Sequence, residues 1–74
     1  MAFNYSKLLG KIKEKGLTHK EFASMIGTNP TTLSLKLSNH AKFKQVEIEK
    51  ACSVLGIDVA DIGAYFFARD VQKN

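Results

Sequence analysis

With a single cysteine, Cys52, the chain can form no internal disulfide, and it has no paired Cys/His spacing of the kind that holds zinc. With one proline, Pro30, and no Gly/Ser-rich run, it has no linker that would separate two domains. No run approaches the roughly 20 apolar residues of a membrane helix. Residues 1–7 lack the apolar core of a signal peptide. A length of 74 residues leaves no room for a substrate cleft between two halves. A chain this short buries only about 60% of its unfolded surface. With no disulfide or metal to staple it, the sequence predicts one all-α domain over residues 1–74 with a small helical core. A lone thiol suits a reducing cytoplasm, here read as that of a bacterial host.

What is present is ordinary in amount and uneven in place. Hydrophobic residues make up 45% and charged residues 24%, which is the balance of a folded domain rather than a disordered one. The net charge is +4, but residues 1–44 hold eight lysines against two glutamates. Residues 45–74 reverse the sign, with three basic and five acidic side chains. A basic front half points to a polyanion, nucleic acid being the commonest, although a solvated lysine-rich surface gives the same count.

The apolar spacing predicts five helices. Tyr5, Leu8, Leu9 and Ile12 form one stripe of a first helix over Tyr5–Lys15, with Asn4 placed to cap it and Gly16 to end it. Thr18 and Glu21 form a T-x-x-E capping box at the start of a short second helix. Asn29-Pro30 starts a third, because asparagine caps and proline at the first position gives up no needed hydrogen bond. Leu33 and Leu37 face inward from it. Phe43 anchors the following polar loop. A fourth helix over Gln45–Leu55 carries Val46, Ile48, Ala51, Cys52 and Leu55, and Gly56 ends it. A fifth begins after Asp58 with Val59, Ile62 and Phe66 on one face. Residues 69–74 read as a frayed tail. Gly10 lies in the first helix, allowing close packing or simply tolerated. Cys52 on a buried stripe reads as core, not as a nucleophile. No catalytic pair, metal cluster or phosphate loop is visible, so the expectation is a protein that is not an enzyme and takes no cofactor.

Two short helices joined through a glycine form the helix-turn-helix pattern, at about residues 18–38. Ala23 is small where the helices cross, Gly27 supplies a left-handed turn residue, and Leu33 locks the second helix onto the first. These residues, with Val54-Leu55-Gly56-Ile57, resemble the lambda-repressor-like family, and within it the short Cro-type regulators of temperate bacteriophages. Asp61-Ile62-Gly63-Ala64-Tyr65-Phe66-Phe67 also resembles small phage proteins of Gram-positive hosts. The resemblance covers residues 3–67. It implies a five-helix DNA-binding domain that binds operator DNA as a symmetric homodimer.

Carried over residue by residue, the resemblance places base-reading at Pro30, Thr31 and Leu35, and the polar side chains of Asn29, Thr32 and Ser34 beside them are further base-reading candidates. It places phosphate contacts at Thr18, His19, Lys20, Lys36, Asn39, His40, Lys42 and Lys44. The chemistry departs from the family's glutamine-bearing helix. Pro30 has no donor and Leu35 cannot hydrogen-bond, leaving hydroxyls and contact with thymine methyls. An exposed Leu35 suits a protein partner equally, and the alternative is an antirepressor or modulator that binds the phage's larger repressor. Tyr65, Phe66 and Phe67 form a candidate protein interface, unless the tail folds back over them.

Overall fold

The computed structural model describes residues 3–69. Five α-helices follow in order: α1 (Ser6–Glu14), α2 (His19–Met25), α3 (Pro30–Leu37), α4 (Gln45–Leu55) and α5 (Ile62–Phe66). A single 3₁₀ turn (Val59–Asp61) leads into α5. Among the described residues no strand forms, only an isolated antiparallel bridge between Phe3 and Arg69. No helix among them is long and apolar enough to cross a membrane.

The first four helices stop in the same way. A left-handed residue follows each one: Gly16, Gly27, Asn39 and Gly56, with φ between 66° and 85°. The amide after it then closes back onto the last turn, as in Thr28 N–H to the Ala23 carbonyl at 2.8 Å and His40 N–H to the Leu35 carbonyl at 2.8 Å. Gly27 is needed where it stands, since α3 must restart within three residues and an L side chain resists φ +85°. After α3 an asparagine takes the same conformation, and its side chain has a second task described below.

The core is built from Leu8 and Ile12 of α1, Phe22, Ala23 and Ile26 from α2 and its turn, Leu33 of α3, Ala51 and Leu55 of α4, and Phe66 of α5. Ala23 is fully buried where α2 meets α3, the place that demands a small side chain. Cys52 is buried, and burial pushes its thiol pKa up, so the thiol stays protonated and inert.

Four local expectations are corrected. Helix α1 starts at Ser6, and Asn4 accepts from the Ser6 amide at 2.9 Å, one position before the formal cap. Leu9 is exposed, because α1 presents only a narrow line, Tyr5, Leu8 and Ile12, to the core. Val46 is exposed because the inward position in the first turn of α4 belongs to Glu47. Val59 is 78% exposed. The tighter winding of the 3₁₀ turn takes it out of phase with Phe66, whereas one continuous α-helix would have aligned them.

Gly10 meets no neighbour: a Cβ built on it finds nothing within 4 Å. Gly10→Ala should therefore raise stability by about 0.5–1 kcal/mol, through the entropy glycine loses on folding. Thermal unfolding checks this, and a lowered midpoint would show that α1 uses the freedom of that residue.

Candidate functional site: the face of α2 and α3

Helix α2 opens on a complete capping box. The Glu21 amide donates to Thr18 Oγ1 at 3.1 Å, and the Thr18 amide donates to the Glu21 carboxylate at 2.9 Å. The bond from the Thr18 amide, then that from its hydroxyl, holds the Glu21 pKa below the usual carboxylate value. Thr18 is thus engaged in capping, while His19 and Lys20 beside it stand exposed.

Helix α3 begins on Asn29, whose side-chain oxygen accepts from the Thr32 amide at 2.8 Å. Asn29, a base-reading candidate, thus has its side-chain oxygen engaged in the cap, while its side-chain amide donors stay on an exposed residue. Pro30, Thr31, Ser34 and Leu35 are exposed, and Thr32 is half-buried. Leu35 is 46% exposed while Leu33 is fully buried, so the helix faces as its apolar spacing predicts. Leu37 is only partly buried.

Lys36 does not reach outward. It was expected on phosphate, yet it is 4% exposed, and its ammonium pairs with the Glu47 carboxylate, itself 6% exposed. The same Glu47 oxygen accepts from the Lys44 amide at 2.9 Å, so one carboxylate caps α4 and ties it to α3. Burial opposes the charge on Glu47, but the Lys36 ammonium and the Lys44 amide outweigh it and hold its pKa below the usual value. The sequence carried a signal for this: Lys36 lies three residues after Leu33 on the inward side, and Glu47 heads the stripe of Ile48, Ala51, Cys52 and Leu55.

Asn39 is likewise turned to structure rather than to phosphate. It accepts from the Phe3 amide at 2.9 Å and donates to the Phe3 carbonyl at 3.0 Å. That two-point clasp fixes the N-terminal segment to the end of α3. It also gives asparagine a use that glycine would not have at this left-handed position. His40 is exposed with Nδ1 2.8 Å from Ser38 Oγ. Lys42 and Lys44 are exposed.

The face that results is unusual in its charge. The only charged side chain in α3 is Lys36, and it is turned inward. What α3 presents outward is Pro30, Thr31, Ser34 and Leu35, all uncharged, while Lys20, Lys42 and Lys44 are exposed on the segments before and after it. Such a surface has few of the bidentate donors that read base edges. It has the uncharged, partly apolar centre and polar rim of a protein-binding patch.

The three C-terminal aromatics separate. Phe66 is 1% exposed and belongs to the core, which corrects its assignment to an interface. Its ring meets Phe43 edge-on at 5.3 Å, and Phe43 meets Tyr5 at 5.4 Å, so Phe43 anchors its loop as expected. Tyr65 is half-buried beneath the Lys7 ammonium, 5.1 Å from the ring centre. Phe67 alone stays exposed, at 51%, edge-on to Phe3 at 5.8 Å. Of the expected tail, Arg69 is bridged to Phe3 and residues 70–74 lie outside the described residues.

These features define a small five-helix protein with an uncharged outer face on α3, and the chain belongs to the family described as "Protein of unknown function (DUF739)", which matches residues 1–69. Among solved structures it is similar to the modulator of repression (MOR) of the temperate bacteriophage TP901-1 from Lactococcus lactis, determined in solution. The two share 44% identity over 97% of each chain, with a TM-score of 0.76. A comparison with curated proteins gives no match. Kinship with small phage regulators therefore holds, and the relative that carries it is a modulator of repression rather than a Cro-type repressor.

Proposed function

We propose that this protein modulates repression in a phage genetic switch by binding the phage's larger repressor through the outward face of its helix-turn-helix, α2 and α3. The observation that carries the reading is the inward turn of Lys36, which leaves the outer face of α3 without a charge and with Leu35 exposed. The similarity to a modulator of repression supports the same reading. It would act in the cytoplasm of the bacterial host. A Cro-type repressor that occupies an operator is the second reading, favoured by the exposed lysines Lys20, Lys42 and Lys44.

A mobility-shift titration separates the two. Operator DNA should stay unshifted by the protein alone and be shifted by the cognate repressor. Adding this protein to that complex should release the DNA or change its mobility. A sequence-specific shift by the protein alone would overturn the modulator reading, provided that affinity falls with salt at about 0.9 log units per log unit for each phosphate contacted. In that case Lys42→Ala would weaken all sequences alike.

A further inference from the structure

Lys36 and Glu47 are the buried charged side chains among the described residues, and they are not equal partners. Glu47 has a short stem and is held twice, by the Lys36 ammonium and by the Lys44 amide at 2.9 Å. The Lys36 ammonium hydrogen-bonds to Glu47, and the centre of the Phe43 ring lies 6.0 Å from it. Its long stem leaves α3 on the same edge as half-buried Thr32, one turn earlier, and next to exposed Leu35. A lysine so placed can lay its stem along apolar surface and carry its ammonium to water. The Glu47 carboxylate is what keeps this cation inside.

Stability alone does not ask for the pair, since two apolar side chains of like volume would join α3 to α4 at least as firmly. What the carboxylate does settle is the charge of α3, in which Lys36 is the sole charged side chain. Lys20, Lys42 and Lys44 are exposed on the segments before and after it. A further cation on the helix itself would add to them the kind of group that seats a helix-turn-helix on phosphate.

We propose that Glu47 sets the specificity of the α3 face: by drawing Lys36 inward it withholds that face from nucleic acid and leaves it to protein. The inference rests on the modulator reading, and it makes Glu47 a positioning residue that acts through Lys36.

Glu47→Leu tests this. With no carboxylate to meet, the ammonium should leave the core. Acylation with acetic anhydride followed by mass spectrometry reads that step: Lys36 should be protected in the native chain and react like exposed Lys42 in the variant. Titration of labelled DNA duplexes, one of random sequence and one carrying the operator, reads the consequence. At low salt the variant should bind the random duplex roughly fivefold more tightly than the native chain does, with a salt dependence steeper by about 0.9 log units per log unit, the share of one phosphate contact. Two controls separate this from a change in net charge. Glu49→Leu makes the same change of charge at an exposed position of α4 and should alter binding little. Lys36→Met with Glu47→Leu carries neither charge and should bind as the native chain does. A Lys36 that stays protected in Glu47→Leu overturns the proposal. So does a reactive Lys36 without the gain in DNA binding, or a gain that either control matches. A Glu47→Leu chain that fails to fold where the double variant folds overturns it too, because the ammonium then has no way out. If both fail for want of the Lys44 cap, Glu47→Gln keeps an acceptor for that amide and is held to the same outcomes. Preference of the native chain for operator over random sequence would sink the modulator reading itself, whereas the failures named above leave it untouched.

Discussion

Lys36→Met should leave the fold barely stable at neutral pH. The substitution keeps a long, unbranched apolar side chain in place, so the lost volume is small. What it removes is the ammonium that faces Glu47, leaving a buried carboxylate with only the Lys44 amide. Breaking a buried pair at one partner costs about 3–5 kcal/mol. The whole stability of a domain this small stands near the low end of about 5–15 kcal/mol. At about 4–8 °C per kcal/mol, the midpoint by circular dichroism should fall by roughly 15 °C or more. The response to acid should also reverse. In the native chain the folded-state pKa of Glu47 lies below its unfolded value, so its contribution is present above the usual carboxylate pKa and is lost as pH falls through the folded value. In the variant, burial is left dominant and raises that pKa. The fold should then be firmest below the usual carboxylate value and weaken as pH rises. Lys36→Met with Glu47→Leu should recover most of the loss, because two apolar side chains replace a pair without leaving a charge behind. A single variant that melts with the native protein would mean that Lys36 is not held where the structure places it.

Leu35→Ala should weaken the complex with the repressor by about 2 kcal/mol, roughly 30-fold in Kd, as truncation of an interface anchor does. Leu35 is the one large apolar side chain on the outer face of α3, half in solvent, with hydroxyls around it. Its removal should barely move the melting temperature, since an exposed leucine contributes little to the core. A core leucine would lose about 2–5 kcal/mol on the same change. Calorimetric titration with the purified repressor, beside a thermal melt, reads both quantities. Unchanged repressor affinity with altered preference at one operator position would move Leu35 onto DNA. A large fall in melting temperature would place it in the core and remove it from either role.

Features set by neighbours in sequence were legible in advance. The bounds of α4, the capping box of Thr18 and Glu21, the Asn29-Pro30 start and the glycine stops all depend on a few adjacent residues. Features set by the meeting of two helices were harder to see. Lys36 reads as a surface lysine until its partner is found 11 residues on, at a position an apolar residue would ordinarily hold. Asn39 reads as a loop residue until Phe3, 36 positions away, comes to lie against it. Phe3 carries no periodic signal, so its packing against Phe67 was not legible, although Phe67 stands with Tyr65 and Phe66 as a candidate interface residue in the sequence. The direction of Leu35 was legible because Leu33 and Leu37 fix the rotation of the helix.

The packing of α1 on α5 bears on when the fold can form. Phe3 and Asn4 also meet Arg69 and Ala68, the Asn4 amide donating to the Ala68 carbonyl at 2.6 Å. During synthesis the helices appear in order, and α2, α3 and α4 can pack on one another as they emerge. Helix α1 has to wait for α5. Until Phe66 arrives, the core that buries Leu8 and Ile12 is incomplete. Cooperative closure is thus delayed until α5 has been made. A ribosome stalled after α4 would hold a chain with its central helices paired and its first helix still unplaced.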